Sequence, residues 1–391
     1  MSATVLETAT GLETPTATLS LRGGPDPAPA PAPAPAAEAK QEAEPPQRRS
    51  KFLPAPGPDY KYARFLPSYD HDLHLPPLEP FEHVDPGHAA LKHANPREFL
   101  EGEGKREVRL TPKIGSEVHG VQLSQLDERA KSQLALFVAQ RGVVVFRDQD
   151  FIDQDPEWQL HSWGSTFGRL HIHPTSGQPA EFPEFHLVYR EASAKKTFIS
   201  YYADRLSTTG WHSDVTYELQ PPGLTTLFLY DSPDTGGDTV YVSQTEAYNR
   251  LSPSFRAYLE TLTVIHSGVE QAEFSRRGNR GGVVKREPVE TEHPLVRRHP
   301  VTGEKALFVN KQFSTRIVGL KYEESEAILN LLYTHIAQGQ DFQVRAKWEP
   351  RTVVLWDNRV TAHSATGDYD PNNDGFRHGT RITPQAERPF I

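Results

Sequence analysis

The sequence predicts a mostly β fold with flanking helices, a β-sandwich or jelly roll, behind a front that lacks core-building residues. Three observations carry this. From Leu170 onward, short β-rich runs alternate with Gly, Pro and Asp turns. Of 34 prolines, 18 fall in residues 1–96, whereas all five tryptophans (Trp158, Trp163, Trp211, Trp348, Trp356) lie beyond them. Cysteine is absent from all 391 residues, which excludes a disulfide scaffold, a zinc finger, an iron–sulfur protein and a cysteine nucleophile.

Residues 1–50 read as a disordered Pro/Ala-rich tail. The alternating Pro-Ala run from Pro25 to Ala36 favours polyproline II, and Lys40 to Ser50 is polar and charged. Residues 51–104 stay proline-rich but carry Tyr60, Tyr62, Phe65 and Tyr69, so an irregular arm draped on the main domain is expected. The main domain is expected over residues 105–391. Ser124, with Asp127 three residues on, is a capping-box-like helix start. Leu126, Ala130, Leu134, Phe137 and Val138 then recur at helical spacing, and Gly142 ends the helix. The apolar run Val143–Phe146 reads as a strand, and a second helix is predicted over Asp155 to Phe167, with Pro156 in its first turn. Further strands are predicted at Phe185–Tyr189, Thr225–Tyr230, Thr239–Val242, Lys305–Val309, Gln343–Ala346, Thr352–Trp356 and Arg377–Thr383. Two helices, Pro253–Thr261 and Glu323–Gln338, interrupt them. Arg276 to Arg286, with five basic residues, no acid and three glycines, reads as a mobile surface loop.

The formal net charge of −9 argues against a nucleic-acid binder. No apolar run approaches the roughly 18 residues that span a bilayer. The stretch from Met1 to Gly23 lacks the apolar core of a signal peptide and the early basic residues of a transit peptide. A soluble, cytoplasmic protein is expected, and homo-oligomerisation is left open.

Without cysteine, a metal site must use His, Asp, Glu or backbone oxygen. His-x-Asp occurs as His83-Val-Asp85 and His212-Ser-Asp214, and His171-Ile-His173 is a third candidate. On a strand, residues two apart share a face, so each pair can grip one ion. His83 sits in the proline-rich arm before Pro86 and Gly87 and reads as surface. His212 and Asp214 stand at the entry to the β-rich core, and His363, beyond the strand Thr352–Trp356, best completes a 2-His-1-carboxylate triad. Arg377 and Arg381 suit an anionic co-substrate, the alternative being surface ion pairs with Asp368, Asp370 or Asp374. Gly236-Gly237 reads as a hairpin turn that puts Thr239 at a strand start, and Phe313 is either pocket wall or plain core.

Eight stretches fall into a familiar order. They are Arg141–Gln149, Phe167–Pro174, Trp211–Tyr217, Asp234–Thr239, His299–Gly303, Leu307–Asn310, Trp356–His363 and Arg377–Arg381. Through them, residues 105–385 or so resemble the taurine dioxygenase (TauD/TfdA) family of iron(II)- and 2-oxoglutarate-dependent oxygenases. The resemblance implies a double-stranded β-helix (jelly-roll) core, with Fe(II), 2-oxoglutarate and O2 as cofactor and co-substrates. It assigns the iron to His212, Asp214 and His363, and the distal carboxylate of 2-oxoglutarate to Thr239 and Arg377. It assigns a substrate sulfonate to Arg381, His173 and the Val215 amide.

The chain departs from taurine-specific members at Ser176, where they carry tyrosine, and at Thr208, where they carry asparagine. Both positions are on the substrate side, so a small anionic organosulfur substrate, taurine-like or bulkier, is implied. The implied reaction hydroxylates the carbon next to the sulfonate and releases sulfite and an aldehyde, with succinate and CO2 as co-products. Competing expectations are the same chemistry on an alkyl sulfate ester or an aryloxy carboxylate, a metal hydrolase using His171 and His173 with His212 and Asp214, and a non-catalytic protein acting through its Pro-Ala tail.

Overall fold

Strand alternation, with both faces of one sheet buried, organises the molecule. The computed structural model describes residues 56, 59–190, 209–278, 282–369 and 374–391; the tail expected over residues 1–50 lies outside them, as do Thr208 and Asp370. Among the described residues the main sheet has the order β1 (Arg106–Arg109), β2 (Ser116–His119), β3 (Val143–Phe146), β14 (Val353–Asp357), β6 (Leu224–Asp231), β16 (Arg377–Ile382), β5 (Phe185–Arg190). A smaller sheet has the order β13 (Gln343–Ala346), β7 (Thr239–Ser243), β15 (Thr361–Ala365). A third joins β12 (Ser314–Ile317), β8 (Thr263–Ser267) and β9 (Glu290–Pro294). Two pairs complete the set: β10 (Val296–Arg298) with β11 (Lys305–Leu307), and β4 (Arg169–Leu170) with β17 (Pro384–Gln385).

Val143, Val145, Leu227, Leu229, Val354 and Trp356 of the main sheet meet Tyr241 and Ala346 from the smaller one and Trp348 just beyond β13, so the two sheets face each other across this layer. Their strand neighbours Val144, Phe146, Phe228, Val353 and Leu355 point the other way, into a core shared with Leu134 and Phe137 of the helix Glu128–Arg141 and with Phe151 and Trp163. Burial on both faces is why β3 and β14 read as unbroken apolar runs. Val242 and Ala362, on the far face of the smaller sheet, pack with Leu329, Leu332 and Ile336 of the helix Tyr322–Gln338.

The predicted strands are present, Lys305–Val309 being shortened to Lys305–Leu307. Four details differ. The first helix is capped by Asp127, whose side chain accepts from the Ala130 amide, while Ser124 lies in a preceding single turn and bonds Asp150. The second is not one regular helix: a π-helical segment, Trp158–Trp163, gives way to a 3-10 turn, Gly164–Phe167. Gly164 stands where one gives way to the other, and a Cβ there would lie 2.7 Å from Ile382 Cγ2. The stretch read as a mobile loop begins inside a helix, Val269–Arg276, and Lys285 and Arg286 near its end are buried; residues 279–281 lie outside the description. Asp85, read with His83 as surface, is buried because Arg359 meets its charge at 2.6 Å.

The arm is bonded to the sheets. Nε2–H of His378 donates to the Phe65 carbonyl at 2.9 Å, which leaves Nδ1 to accept from the Tyr60 hydroxyl at 2.8 Å. Phe65 stacks on Tyr230, and Ser68 and Gln178 exchange backbone hydrogen bonds of 2.8 and 3.2 Å.

Candidate active site

On β15, His363 lies opposite Tyr241 of β7, and alternation turns both toward the layer between the sheets while Ala362 faces away. His212 joins His363 through a reciprocal backbone bridge, with N–H to O distances of 3.0 and 2.8 Å, and their rings stand 4.4 Å apart. Nδ1–H of His212 donates to the Gly210 carbonyl at 2.8 Å, which fixes the tautomer and leaves Nε2 as the electron-pair donor.

Three residues on, the chain turns sharply. Val215 takes φ 39°, a left-handed conformation costly for a β-branched residue and typical of constrained sites. Asn358 holds Asp214 just before this turn: its Oδ1 accepts the Asp214 amide at 2.7 Å and its Nδ2 donates to the Asp214 carbonyl at 3.1 Å.

One donor atom from each of His212, Asp214 and His363 lies within 4.8 Å of the others, the only such group of three or more His, Cys, Asp or Glu among the described residues. Both histidine Nε2 atoms are 3.7 Å from Asp214 Oδ1. Burial would raise the Asp214 carboxyl, but Arg381, helped by His363 and His212, holds it below its ordinary range. Burial pushes His363 down to about 3, against the pull of Asp214. An ionised Asp214 carboxylate therefore stands beside a neutral His363 imidazole, the forms in which these groups ligate metal. Asp214 Oδ2 is buried and has no hydrogen-bond partner. An unshared buried carboxylate oxygen beside two imidazoles fits a divalent cation such as iron(II) with open coordination positions.

Two arginines approach this centre from β16. Arg377 and Arg381 are four residues apart and share the inner face, with Gly379 between them. Arg377 Nη2 donates to Thr239 Oγ1 at 3.3 Å, and Trp348 Nε1 donates to the same oxygen at 3.3 Å. Arg381 Nη1 donates to Asp214 Oδ1 at 2.7 Å. Both arginines are buried, and Asp368, considered as a surface partner, instead pairs with Arg345 at 2.7 Å.

The other expected site residues fall as follows. His186 lies opposite Arg381 on β5, and the His173 ring packs 4.3 Å from the His186 ring. His173 thus reaches the Arg381 side through His186, which sequence reasoning missed; the available signal was its alternation with Val188. Ser176 is buried, and its carbonyl accepts from the buried amine of Lys285 at 2.8 Å. Phe313 is both wall and core, packing on Val215 and Tyr217 with its ring 6.5 Å from that of His212. His171 pairs with Glu218 at 3.0 Å, so the structure does not gather it with His212 and Asp214 as a hydrolase centre would require.

Known proteins agree with this layout. The model of the taurine catabolism dioxygenase TauD, TfdA family matches residues 107–383. An alpha-ketoglutarate-dependent sulfonate dioxygenase of Saccharomyces cerevisiae is 47% identical over 330 residues, 84% of this chain and 79% of that protein. The crystal structure of a taurine dioxygenase from Burkholderia xenovorans superposes with a TM-score of 0.58 at 34% identity, covering 73% of this chain and 92% of that one. An alkylsulfatase of Acinetobacter baylyi is 30% identical over 290 residues, 71% of this chain and 84% of that protein. With a double-stranded β-helix and a His-Asp-His group that suits iron, the chain belongs to the TauD/TfdA family of iron(II)- and 2-oxoglutarate-dependent dioxygenases.

Proposed function

We propose that this dioxygenase hydroxylates the carbon next to the sulfonate of an organosulfonate. The observation that carries the reading is the pair of buried arginines on one face of β16, one at Thr239 and the other at Asp214. One metal with two separated cationic anchors suits a reaction that brings two anions together. His212, Asp214 and His363 would hold the iron, which when bound supplies oxygen activation and the oxidising power for C–H hydroxylation.

The chain's own residues position the reactants. Arg377 and the Thr239 hydroxyl hold the distal carboxylate of 2-oxoglutarate. Arg381, His173 and the Val215 amide hold the sulfonate, and Phe313 with Tyr217 keeps water from one side. In the hydroxylated product the C–S bond breaks, the electron pair leaves with sulfite, and the hydroxyl becomes the aldehyde carbonyl as its proton passes to solvent. 2-Oxoglutarate yields succinate and CO2. The small side chain of Ser176 favours a substrate bulkier than taurine, and Thr208 is the second position assigned to the substrate side.

The test supplies iron(II)-loaded protein with 2-oxoglutarate, O2 and a panel of sulfonates, sulfate esters and aryloxyacetates, and follows succinate and sulfite. Substrate-dependent succinate with equimolar sulfite is expected; none across the panel would refute the reading. A second reading, an alkyl sulfate ester as substrate, is favoured by the likeness to an alkylsulfatase, and sulfate in place of sulfite would select it. Cytoplasmic location and a catalytic domain beginning near residue 105 belong to the same proposal. Cell fractionation tests the first. Removing residues 1–50 should leave turnover intact, whereas a protein acting through its tail would lose its function.

A further inference from the structure

A buried acid of the arm, Asp85, reaches the turn behind the metal triad. Its Oδ1 accepts the Gly87 amide at 2.7 Å, and its Oδ2 takes a charged hydrogen bond from Arg359 Nη1 at 2.6 Å. Arg359 also forks onto Asp357, Nε to Oδ1 at 2.8 Å and Nη2 to Oδ2 at 2.6 Å, and its Nη1 lies 3.2 Å from Glu387. Asp357 accepts from His299 Nε2 at 2.9 Å, and His299 Nδ1 accepts the amides of Val301 and Thr302. Asp85, Asp357, Arg359 and His299 are all buried.

Between Asp357 and Arg359 stands Asn358, which holds both backbone groups of Asp214. Just beyond the turn, β15 carries His363, and Thr361 on the way accepts from Ser213, the residue between His212 and Asp214. The turn thus holds Asp214 directly, leads into the strand that carries His363, and is joined through Thr361 to Ser213, the neighbour of His212.

We propose that Asp85 is a positioning residue for the metal, acting through Arg359 on the Asp357–Asn358 turn. The proposal rests on His212, Asp214 and His363 being the iron ligands. Asp85 lies outside the stretch matched by the family model, residues 107–383, so the arm supplies a part of the site that the matched stretch lacks. Two carboxylates, one on each side, fix the rotation of the Arg359 guanidinium. With Asp85 neutralised, the guanidinium turns toward Glu387 and draws Asp357 and Asn358 with it.

The test titrates full-length apoprotein with iron(II), anaerobically and with 2-oxoglutarate, reading the charge-transfer absorption of the complex. Asp85→Asn is expected to weaken iron binding about tenfold, and Asn358→Ala roughly 10–100-fold. In an Arg359→Gln background, Asp85→Asn should add less than about twofold, because the two act as one unit. Leu332→Ala, in the core beneath the helix Tyr322–Gln338, should lower the melting temperature and leave iron affinity unchanged. Wild-type affinity in Asp85→Asn overturns the proposal, and so does an equal loss in Leu332→Ala. If Asp85→Asn does not fold, Asp85→Glu serves, with an expected weakening of about threefold; unchanged affinity overturns the proposal. Wild-type protein that binds no iron, or His212→Ala that binds it normally, would overturn the metal reading instead.

Discussion

Arg381 Nη1 and Asp214 Oδ1 meet at 2.7 Å with both side chains buried. The contact ties a proposed substrate anchor to a proposed metal ligand. It keeps the Asp214 carboxylate ionised, and it holds a guanidinium, with further donors, beside the metal position.

Replacing that guanidinium should separate the two co-substrates kinetically. Arg381→Ala is expected to raise the KM for the sulfonate roughly 10–100-fold, the loss of about one or two charged hydrogen bonds. The KM for 2-oxoglutarate should change far less. Steady-state kinetics with each reactant varied in turn decides it, and the reverse pattern would mean that the arginines exchange roles.

Thr239→Val removes the hydroxyl that accepts from both Arg377 and Trp348 while keeping the side-chain shape. The expected result is a KM for 2-oxoglutarate raised about 3–10-fold, with little change for the sulfonate. A rise confined to the sulfonate would count against the proposed assignment of Thr239.

Acid should loosen the arm. Burial lowers His378 from its ordinary 6.5 to about 4, against the pull of the Phe65 carbonyl. Tyr60, Tyr189 and Tyr230 surround the ring, with Asp231 opposite on β6. The folded protein keeps His378 neutral while the unfolded chain takes up a proton first. Its contribution is therefore complete above about pH 6.5 and is lost as pH falls toward 4, roughly 3 kcal/mol in all. Melting temperature against pH, compared between wild type and His378→Gln, should show the shallower slope in the variant over that window; equal slopes would refute the assignment.

Gly379 separates the two arginines because nothing larger fits. A Cβ there would come within 2.3 Å of Leu229 Cδ2 and 2.5 Å of the Phe228 carbonyl oxygen. Gly379→Ala should cost about 1–3 kcal/mol and lower the urea midpoint, since the backbone oxygen cannot move aside without breaking the β6–β16 pairing. An unchanged midpoint would show that the strands separate more easily than this packing implies.

The site is legible in the sequence where chemistry demands particular residue types at short range. His212-Ser-Asp214, His363 and the Arg377–Arg381 pair stand out because no cysteine competes and because strand periodicity assigns their faces. The two-sheet core is legible for the same reason: turns and β-rich runs are local signals. Long-range register is not local. His186 gains its place only because β5 pairs with β16, and Asp85 only because the arm folds back onto Arg359. The interval from Asp155 to Phe167 carries a helical pattern that does not show its division into a π-helical segment and a 3-10 turn, nor the close approach of Ile382 to Gly164. No propensity encodes that approach.

The β16–β6 pairing shifts by one residue between His378 and Gly379, so that Tyr230 has no cross-strand partner on β16. His378, next to Arg377, is thus in a different register against β6 from the run Gly379 to Ile382 that includes Arg381. On its other edge β16 pairs with β5 without interruption, Arg377 opposite Arg190 and Arg381 opposite His186, so the slip is absorbed on β6 alone and the two arginines keep one fixed spacing.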